Sequence, residues 1–438
     1  MSTAQEPADL AGVATTGRPF LGWRVVAGAF TSQLFSAGLC FSAFGAFIVP
    51  LAESFGTTRG AISGGLGIGM VWMALLGPPV GRVADRGPVR ALVVSGLLLM
   101  GAGLHLASVA AELWQAAFAF CLLVCTGAAM TGPIPTISLV GKWFVRRRGM
   151  ALGITVAGAT VASMAGPAVG AYLTELQGWR AALRSMGSFG PLIGVPLLWW
   201  LVVRRPEDVG QRPDGDPAPQ VVDPTSGAPE DIRATGEFLR DSNVWLAGFG
   251  FAFLFASPVV MSIHVIPFAG DLGIDAVRAS GFFAAMAPCS LLGKLVFGAV
   301  VDRVNARHAL YAAMIVLALS WWLLLSSPGY NRLLLTGAVF GLGVGAVGPL
   351  QGIVIASCFG RDSVGRVMGI GGLLGLPIVA GAPPLVGFLF DVQGSYRMGF
   401  TLQLATLVIS ALLFSLLRFP SVEPGTELAR STPAPENA

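Results

Sequence analysis

The amino-acid sequence predicts an all-α membrane protein with twelve transmembrane helices in two parallel six-helix repeats. Of its 438 residues, 54% are hydrophobic and 11% are charged, and the mean hydropathy is +0.74. These values exclude an ordinary soluble globular protein, in which about 25% of residues are charged. The apolar residues fall in twelve long segments, and landmarks of the first six segments recur in the last six at a nearly constant spacing.

Each apolar segment is long enough to cross a hydrocarbon layer about 30 Å thick, which takes about 20 helical residues. The residues between the sixth and seventh segments are rich in proline, aspartate and glycine without an apolar period, so we predict a flexible linker there. The segments lie at 23–50, 61–81, 90–109, 114–140, 149–174, 181–203, 244–268, 280–301, 309–327, 333–357, 366–390 and 398–418. The predicted domains are a tail at 1–20, a bundle at 21–203, the linker at 204–242, a second bundle at 243–419 and a tail at 420–438.

The basic residues predict the orientation in the membrane, because lysine and arginine are enriched in cytoplasmic loops. With both tails inside, the inner segments hold 20 of the 27 basic residues and the outer loops hold 6. The N-terminus is polar, and the first apolar segment is too long for the hydrophobic region of a cleavable signal. We therefore predict a multi-pass protein of the inner (plasma) membrane with both termini and the linker in the cytoplasm.

Landmarks repeat between the halves at an offset of 216 or 217 residues. One dipeptide match would be noise, but five landmarks at one offset indicate two six-helix repeats in parallel orientation. This arrangement is expected of the major facilitator fold, whose binding site lies between the halves near the midplane. The pairs are Gly81 and Asp85-Arg86 with Gly298 and Asp302-Arg303, Pro50 with Pro267, Gly132-Pro133 with Gly348-Pro349, Met150–Ile154 with Val367–Ile370, and Gln177–Arg180 with Gln393–Arg397.

The one remaining basic residue, Lys294, lies inside the eighth apolar segment. It precedes Asp302 by eight residues, or roughly 12 Å of helix, which places it near the middle of the hydrocarbon layer. A cation there costs about 2.5–3.5 kcal/mol on insertion scales, so it usually faces a cavity and marks a substrate or ion path. All 23 acidic residues lie in tails, loops or helix ends, so we predict no carboxylate partner for Lys294. The other lysine, Lys142, adjoins Arg146–Arg148, and we interpret it as part of a solvated basic cluster.

Several polar residues within the segments are candidates to line a cavity with Lys294. Gln33 and Ser36 share one face of the first segment, and Ser290 lies one helical turn before Lys294. Gln351 follows a Gly-Pro pair, where we expect a local break in the helix. Small polar residues also serve close packing between helices, so both roles stay open. The predicted substrate-binding residues are Lys294, Gln33, Ser36, Ser290, Gln351, Thr131 and Thr155.

The histidines, the cysteines and the short motifs of the sequence do not indicate a cofactor. His264 and His105 lie near the outer ends of their segments, and His264 is, with Lys294, a candidate proton carrier; an interfacial hydrogen bond is the alternative role. All five cysteines fall within apolar segments, which favours packing over disulfides or a metal. No nucleotide-binding, metal-binding or nucleophile–base motif stands in a suitable context, so we predict neither an enzyme nor a cofactor nor a nucleic-acid partner.

The loops after the second and eighth segments carry paired Gly-x-x-x-Asp-Arg motifs, which resemble the signature loop of the major facilitator superfamily. A helix-ending carboxylate beside basic residues can cap a neighbouring helix N-terminus and hold one conformation closed. Ordinary helix-end charges are the alternative. The predicted gating residues are Asp85, Arg86, Arg90, Asp302 and Arg303.

The start of the fifth segment resembles the monocarboxylate transporter family, which includes relatives that exchange oxalate for formate. Residues 143–154, WFVRRRGMALGI, are similar to its pattern of an aromatic residue, Phe-x-x-Arg-Arg, a small residue and Ala-x-Gly, and Gly22-Trp23 also fits. The family carries an arginine in its eighth segment with an aspartate four residues earlier, where this chain has Lys294 and Ser290. The resemblance implies a carrier of small organic anions whose anion-binding cation corresponds to Lys294.

We therefore expect a secondary active transporter of a small organic anion, with a monocarboxylate as the favoured class and the substrate carboxylate as counter-ion of Lys294. The expected partners are that anion, protons and the lipid bilayer. A lysine in a low-dielectric site can lose its proton whereas arginine stays charged, so proton symport and anion exchange both stay open. A major facilitator exporter of drug-like or other small solutes is the alternative, which a central lysine disfavours because it repels cations. A receptor or scaffold is disfavoured because only tails and one short linker lie outside the segments.

Overall fold

The computed structural model describes residues 19–42, 44–215, 235–326 and 329–418, which are mostly helical. The predicted all-α class is confirmed. Most of the predicted tails and residues 216–234 of the predicted linker lie outside the described residues. The long helices are α1 (Gly22–Ser54), α2 (Arg59–Arg86), α3 (Val89–Ser108), α4 (Leu113–Trp143), α5 (148–177), α6 (179–201), α7 (Ser242–Asp271), α8 (Gly281–Val301), α9 (Ala306–Ser326), α10 (Tyr330–Phe359), α11 (Val364–Gln393) and α12 (Arg397–Ser415).

The division between α5 and α6 depends on one glycine. The described residues include 11 helices long and apolar enough to cross a membrane, and one of them, Arg148–Leu201, has 54 residues. A straight helix of that length would extend about 80 Å, far more than a bilayer requires. Gly178 interrupts it with φ 76° and ψ 159°, a conformation that glycine adopts without the steric penalty of a side chain. The described chain therefore has twelve membrane-length helices, as predicted.

The α4 and α10 helices respond differently to their matching Gly-Pro pairs. Gly132 is extended, with φ −79° and ψ −156°, and α4 resumes at Pro133. Proline lacks an amide hydrogen and disfavours helical geometry in the preceding residue, which explains this break. Pro349 instead lies inside an uninterrupted α10, so the predicted local break before Gln351 is wrong. Neighbouring helices pack against this stretch of α10 and hold it in one helical path.

The two halves meet at the end of the molecule that carries the linker, which we call the linker end. There α2 crosses α11 with Gly81 against Gly365, and α5 crosses α8 with Gly149 against Gly298. A methyl group on any of these four glycines would collide with the opposite backbone. Each crossing pairs the second helix of one half with the fifth helix of the other, so the two crossings are related by the same pseudo-symmetry as the sequence landmarks.

The halves separate towards the opposite end. Residues 163–165 and 167–169 of α5 are exposed. Successive helical residues point about 100° apart, so exposure at consecutive positions extends around most of the helix rather than along one lipid-facing stripe. This part of α5 therefore borders an opening, and the structure is closed at the linker end and open at the other.

Each half has an apolar core between its helices. Leu97, Ile137 and Trp143 are fully buried in the N-terminal half. In the C-terminal half, the Trp321 ring lies 5.1 Å from that of Phe400, measured between ring centroids. These contacts fix the helices about their axes, and so decide which polar side chains face the interface between the halves.

Candidate functional site

The Lys294 ammonium lies in the middle of α8, against α5 of the other half. Its Nζ donates to Thr160 Oγ1 at 2.5 Å and to Ser290 Oγ at 3.3 Å. Among the described residues it has no carboxylate partner, in agreement with the prediction. An ammonium has three donors, and two neutral hydroxyls do not compensate its charge. When the amine is protonated, these two hydroxyls therefore leave one N–H and the positive charge uncompensated.

Thr160, the cross-half partner of Lys294, was not among the predicted residues, whereas Thr155 of the same helix was. The Thr155 hydroxyl donates to the Ala151 carbonyl of its own helix at 2.9 Å. Five helical residues correspond to a rotation of about 140°, so the two threonines face different neighbours. A threonine in an apolar helix was the signal for both, but only the packing of α5 on α8 distinguishes them.

Three further predicted residues lie within the N-terminal half, where Gln33 and Ser36 join α1 to α4 and Thr131 bonds within α4. Gln33 Nε2 donates to Thr136 Oγ1 at 3.0 Å, and Ser36 Oγ donates to the Ala128 carbonyl at 3.1 Å. The Thr131 hydroxyl donates to Gly127 of its own helix at 2.8 Å. All three predicted residues are buried, and among the described contacts none touches Lys294. In this conformation their polar groups serve helix packing.

Gln351 and His264 lie away from the ammonium, in the C-terminal half. Gln351 lines a cavity of about 90 Å³ between α7, α10 and α11, whose lining does not include Lys294. His264 is buried, with Nε2 3.0 Å from the Pro383 carbonyl and its ring beside that of Tyr396. Because a carbonyl only accepts, this contact places the proton on Nε2 and ties α7 to α11.

The Asp85 carboxylate ends α2 and caps α11 of the other half. Its Oδ1 accepts from Ser138 Oγ at 2.7 Å and from the Gly365 amide at 2.9 Å. Its Oδ2 accepts from the Arg366 amide at 2.8 Å and lies 3.6 Å from the guanidinium Nε of Arg366. The first amides of a helix lack partners within that helix, so a carboxylate there satisfies them and favours the helix dipole.

Asp302 makes the equivalent cap at the end of α8. Its Oδ1 accepts from the Gly149 amide at 2.6 Å, and its Oδ2 accepts from the Met150 amide at 3.0 Å, both at the start of α5. Burial raises the pKa of the Asp302 carboxyl, and the two amides oppose that rise. Each half thus caps a helix of the other at the linker end.

The three predicted gating arginines occupy different environments. Arg90 Nε donates to the Val202 carbonyl at 2.7 Å, which ties α3 to the end of α6 within one half. The Arg86 and Arg303 side chains are exposed, and the Arg86 carbonyl accepts from Arg204. The structure thus brings both aspartates to the crossings between the halves, and the arginines to their margins.

The interpretation of Lys142 as solvated is wrong. Only 6% of the residue is exposed, and its Nζ donates to the carbonyls of Ala84 at 3.0 Å and Asp85 at 2.7 Å. Its α4 continues to Trp143, so the side chain is still helical and points at the end of α2, unlike the exposed Arg146 and Arg147 that follow the helix. Lys142 thus supplies hydrogen bonds to two carbonyls at the end of α2, where no later turn of the helix provides an amide donor.

A family model for the Major Facilitator Superfamily matches residues 29–293 and 266–437. The chain is 27% identical over 414 residues to monocarboxylate transporter 13 of Bos taurus, covering 91% of this chain and 90% of that protein. The solved structure of the human organic anion transporter MFSD10 (TETRAN) has a TM-score of 0.66 at 15% identity, over 91% of this chain and 100% of that one. The proton:xylose symporter XylE has a TM-score of 0.69 at 13% identity, over 91% and 96%.

At such low identities the two solved structures show the fold alone, while the family model spans both halves of the chain. Both predicted resemblances are confirmed, to the superfamily and to the monocarboxylate transporters within it. The protein is a multi-pass membrane transporter, not an enzyme, and belongs to the major facilitator superfamily.

Proposed function

We propose that this protein is a secondary active transporter of a small organic anion, with a monocarboxylate as the favoured class, and that Lys294 binds the substrate carboxylate. The observation that carries the proposal is the ammonium at mid-helix, held by the hydroxyls of Thr160 and Ser290 and unneutralised by any described carboxylate. A buried charge without a counter-ion is costly, and a carboxylate ligand would remove that cost.

The position of Lys294 also supports transport rather than static binding. The ammonium bridges α8 and α5, which belong to opposite halves, so a bound anion contacts both moving parts. The cleft is open at one end and closed at the linker end, where Asp85 and Asp302 cap helices of the opposite halves. Breaking these caps while the other end closes would move the site from one side of the membrane to the other.

The test is uptake of labelled monocarboxylates and dicarboxylates into proteoliposomes. We expect Lys294→Ala to abolish saturable anion uptake, because the site would lose its charge, and Lys294→Glu to be at least as inactive. Arg332→Ala is the matched control, since it removes an exposed cation from the same half and should leave uptake near the wild-type rate. Protein yield and the thermal unfolding temperature Tm show whether each variant is inserted and folded.

Wild-type uptake by folded Lys294→Ala would assign the lysine a structural role and overturn the proposal. Transport of cationic, drug-like solutes with no anion transport would instead favour the exporter.

A further inference from the structure

A second site lies at the linker end, in a polar cavity of about 390 Å³ between the two halves. Its volume is within the range of small-molecule sites, roughly 300–1,000 Å³. Both halves and the first residues of the linker contribute charged side chains. These are Lys142 and Arg148 from the N-terminal half, Arg205 and Glu207 from the linker, and Arg361 and Asp362 from the C-terminal half.

The cations of this cavity are only partly compensated by its carboxylates. Arg205 pairs with Asp362 at 3.0 Å, and Lys142 donates to backbone carbonyls. Among the described residues, Arg148 and Arg361 have no hydrogen-bond acceptor, and the Nε atom of Arg148 is also shielded from solvent. Guanidinium groups stay charged and carry five donors each, so both arginines have donors that an anion in this cavity could satisfy.

Arg148 begins α5 and Arg361 follows α10, so the two uncompensated charges belong to opposite halves and repel each other across the closed interface. An anion with several oxygens between them would satisfy both groups and reverse the repulsion. Phosphate suits this geometry, because arginine forks bind its oxygens in pairs. A single carboxylate offers fewer oxygens for two guanidinium groups.

We propose that this cavity binds a phosphate-bearing anion between Arg148 and Arg361, and that the bound anion holds the linker end closed. The ligand contacts both halves, so it binds the closed conformation and loses half of its contacts when the halves separate. At a hundredfold excess over its dissociation constant, such a ligand shifts the closed-to-open ratio by about 100-fold. The site is separate from Lys294, and the inference does not depend on the transported substrate.

The first experiment measures the Tm of the full-length protein in phosphatidylcholine nanodiscs with increasing pyrophosphate, against sodium chloride at matched ionic strength. We expect a saturable rise in Tm with pyrophosphate alone. Arg148→Gln and Arg361→Gln should each weaken the apparent affinity by about tenfold or more, because each removes a charge-assisted pair of hydrogen bonds. Arg147→Gln is the matched control: it removes the same charge one residue earlier, from an exposed side chain, and should respond like wild type.

The second experiment measures closure directly. Spin labels on cysteines replacing the exposed Val145 and Val304, which lie in loops of opposite halves at the linker end, report the separation of the halves. Pyrophosphate should increase the short-distance population in wild type and in Lys294→Ala, but not in Arg148→Gln. The Lys294→Ala result keeps this proposal separate from the transport site, because pyrophosphate should shift the distances towards closure even if that variant starts more open and transports nothing.

A lipid headgroup is the other source of phosphate. If nanodiscs with phosphatidylglycerol give the Arg148-dependent rise in Tm without pyrophosphate, the same site takes its phosphate from the membrane, which supports the proposal. An equal rise in Tm with chloride, or the same pyrophosphate response in wild type and in Arg148→Gln, would overturn it. So would a pyrophosphate-induced increase in the long-distance population.

Discussion

The Thr160 hydroxyl joins the two halves at the position where the substrate is proposed to bind. It accepts from Lys294 Nζ at 2.5 Å, while Ser290 lies on the same helix as the lysine. The Thr160 contact is therefore the one that must break when α5 and α8 separate at this level. It ties the state of the lysine to the conformation of the transporter.

We predict that Thr160→Val shifts the protein towards the conformation open at the linker end. A hydrogen bond to a charged group contributes about 1.5–3 kcal/mol, which corresponds to roughly a tenfold or greater change in the ratio of conformations. The spin-label pair at residues 145 and 304 measures this ratio. Thr155→Val is the control, because that hydroxyl bonds within its own helix and the substitution should leave the distances unchanged. Equal distance distributions for both variants would contradict a bridging role for Thr160.

Residue positions along a helix were predictable here, and residue partners were not. The depth of Lys294 follows from counting residues along its segment, and its lack of a carboxylate follows from the positions of all 23 acidic residues at helix ends, loops and tails. The sequence places Gln33 and Ser36 on one face of their helix. A polar helix face can line a cavity or contact a neighbouring helix, and in the structure both side chains bond α4. Lys142 was misjudged because its sequence neighbours are basic while its helix directs it inward.

At the scale of helices, the two aspartate caps explain why the same motif occurs in both halves. A helix N-terminus has four amides without intrahelical partners, and the nearest carboxylate at each crossing comes from the opposite half. Separating the halves would expose these amides and the carboxylates together. The caps therefore stabilise the closed linker end without any covalent link.

We predict that the two caps differ in strength. Asp85 bonds Ser138, two amides and the Arg366 guanidinium, and is fully buried, whereas Asp302 bonds two amides. Asp302→Ala should cost about 0.5–2 kcal/mol, the usual loss for an N-cap. Asp85→Ala should cost more, because it removes the acceptor of the Ser138 hydroxyl and of two buried amides, and an ion partner of Arg366.

The measurement is Tm in detergent, together with the spin-label distances. Both variants should favour the open linker end, and Asp85→Ala should have the lower Tm. A lower Tm for Asp302→Ala would show that the hydrogen bonds and ion pair of each carboxylate do not determine the strength of the caps.

The existence and length of the helices were predictable because apolar length and composition decide both. The breaks within these helices and the crossings between them were less predictable. Equivalent Gly-Pro pairs give a break at Gly132 in α4 but none at Gly348 in α10, since the outcome depends on which neighbours pack against the helix. The helix crossings at Gly81 and Gly149 were also not predictable. The sequence shows the glycines, but it does not show which helix packs against each of them.

For the whole molecule, the distribution of charge predicts which side of the membrane the closed end faces. The tails, the linker and the loops on the same side together hold 20 of the 27 basic residues, so the closed end should face the cytoplasm. A reporter fused after Pro219 should therefore read as cytoplasmic, and one inserted after Gly273, in the loop between α7 and α8, should read as external. The reverse pattern would invert the orientation and place the closed end on the outside.

In the proposed mechanism, the transport cycle depends on how the charge of Lys294 changes as the two ends open in turn. A bound anion would neutralise the ammonium, so that the halves could close over it. Without a bound anion, the Lys294 ammonium must be hydrated, must lose its proton, or must prevent the conformational change. Loss of the proton gives anion–proton symport, because the returning lysine is neutral and a proton is taken up again with the next anion. A permanent charge gives exchange, because only the loaded carrier returns.

Lys294→Arg separates these two mechanisms, since arginine keeps the positive charge but does not release its proton. We predict that this variant still exchanges internal for external anion and no longer accumulates anion when the outside is acidified. The comparison is between exchange and proton-driven uptake in the same proteoliposomes, with wild type as the control for both. Retained accumulation against a gradient would show that Lys294 is not the proton carrier. It would leave His264, whose ring is buried between α7 and α11, or the protonated substrate itself as the source of coupling.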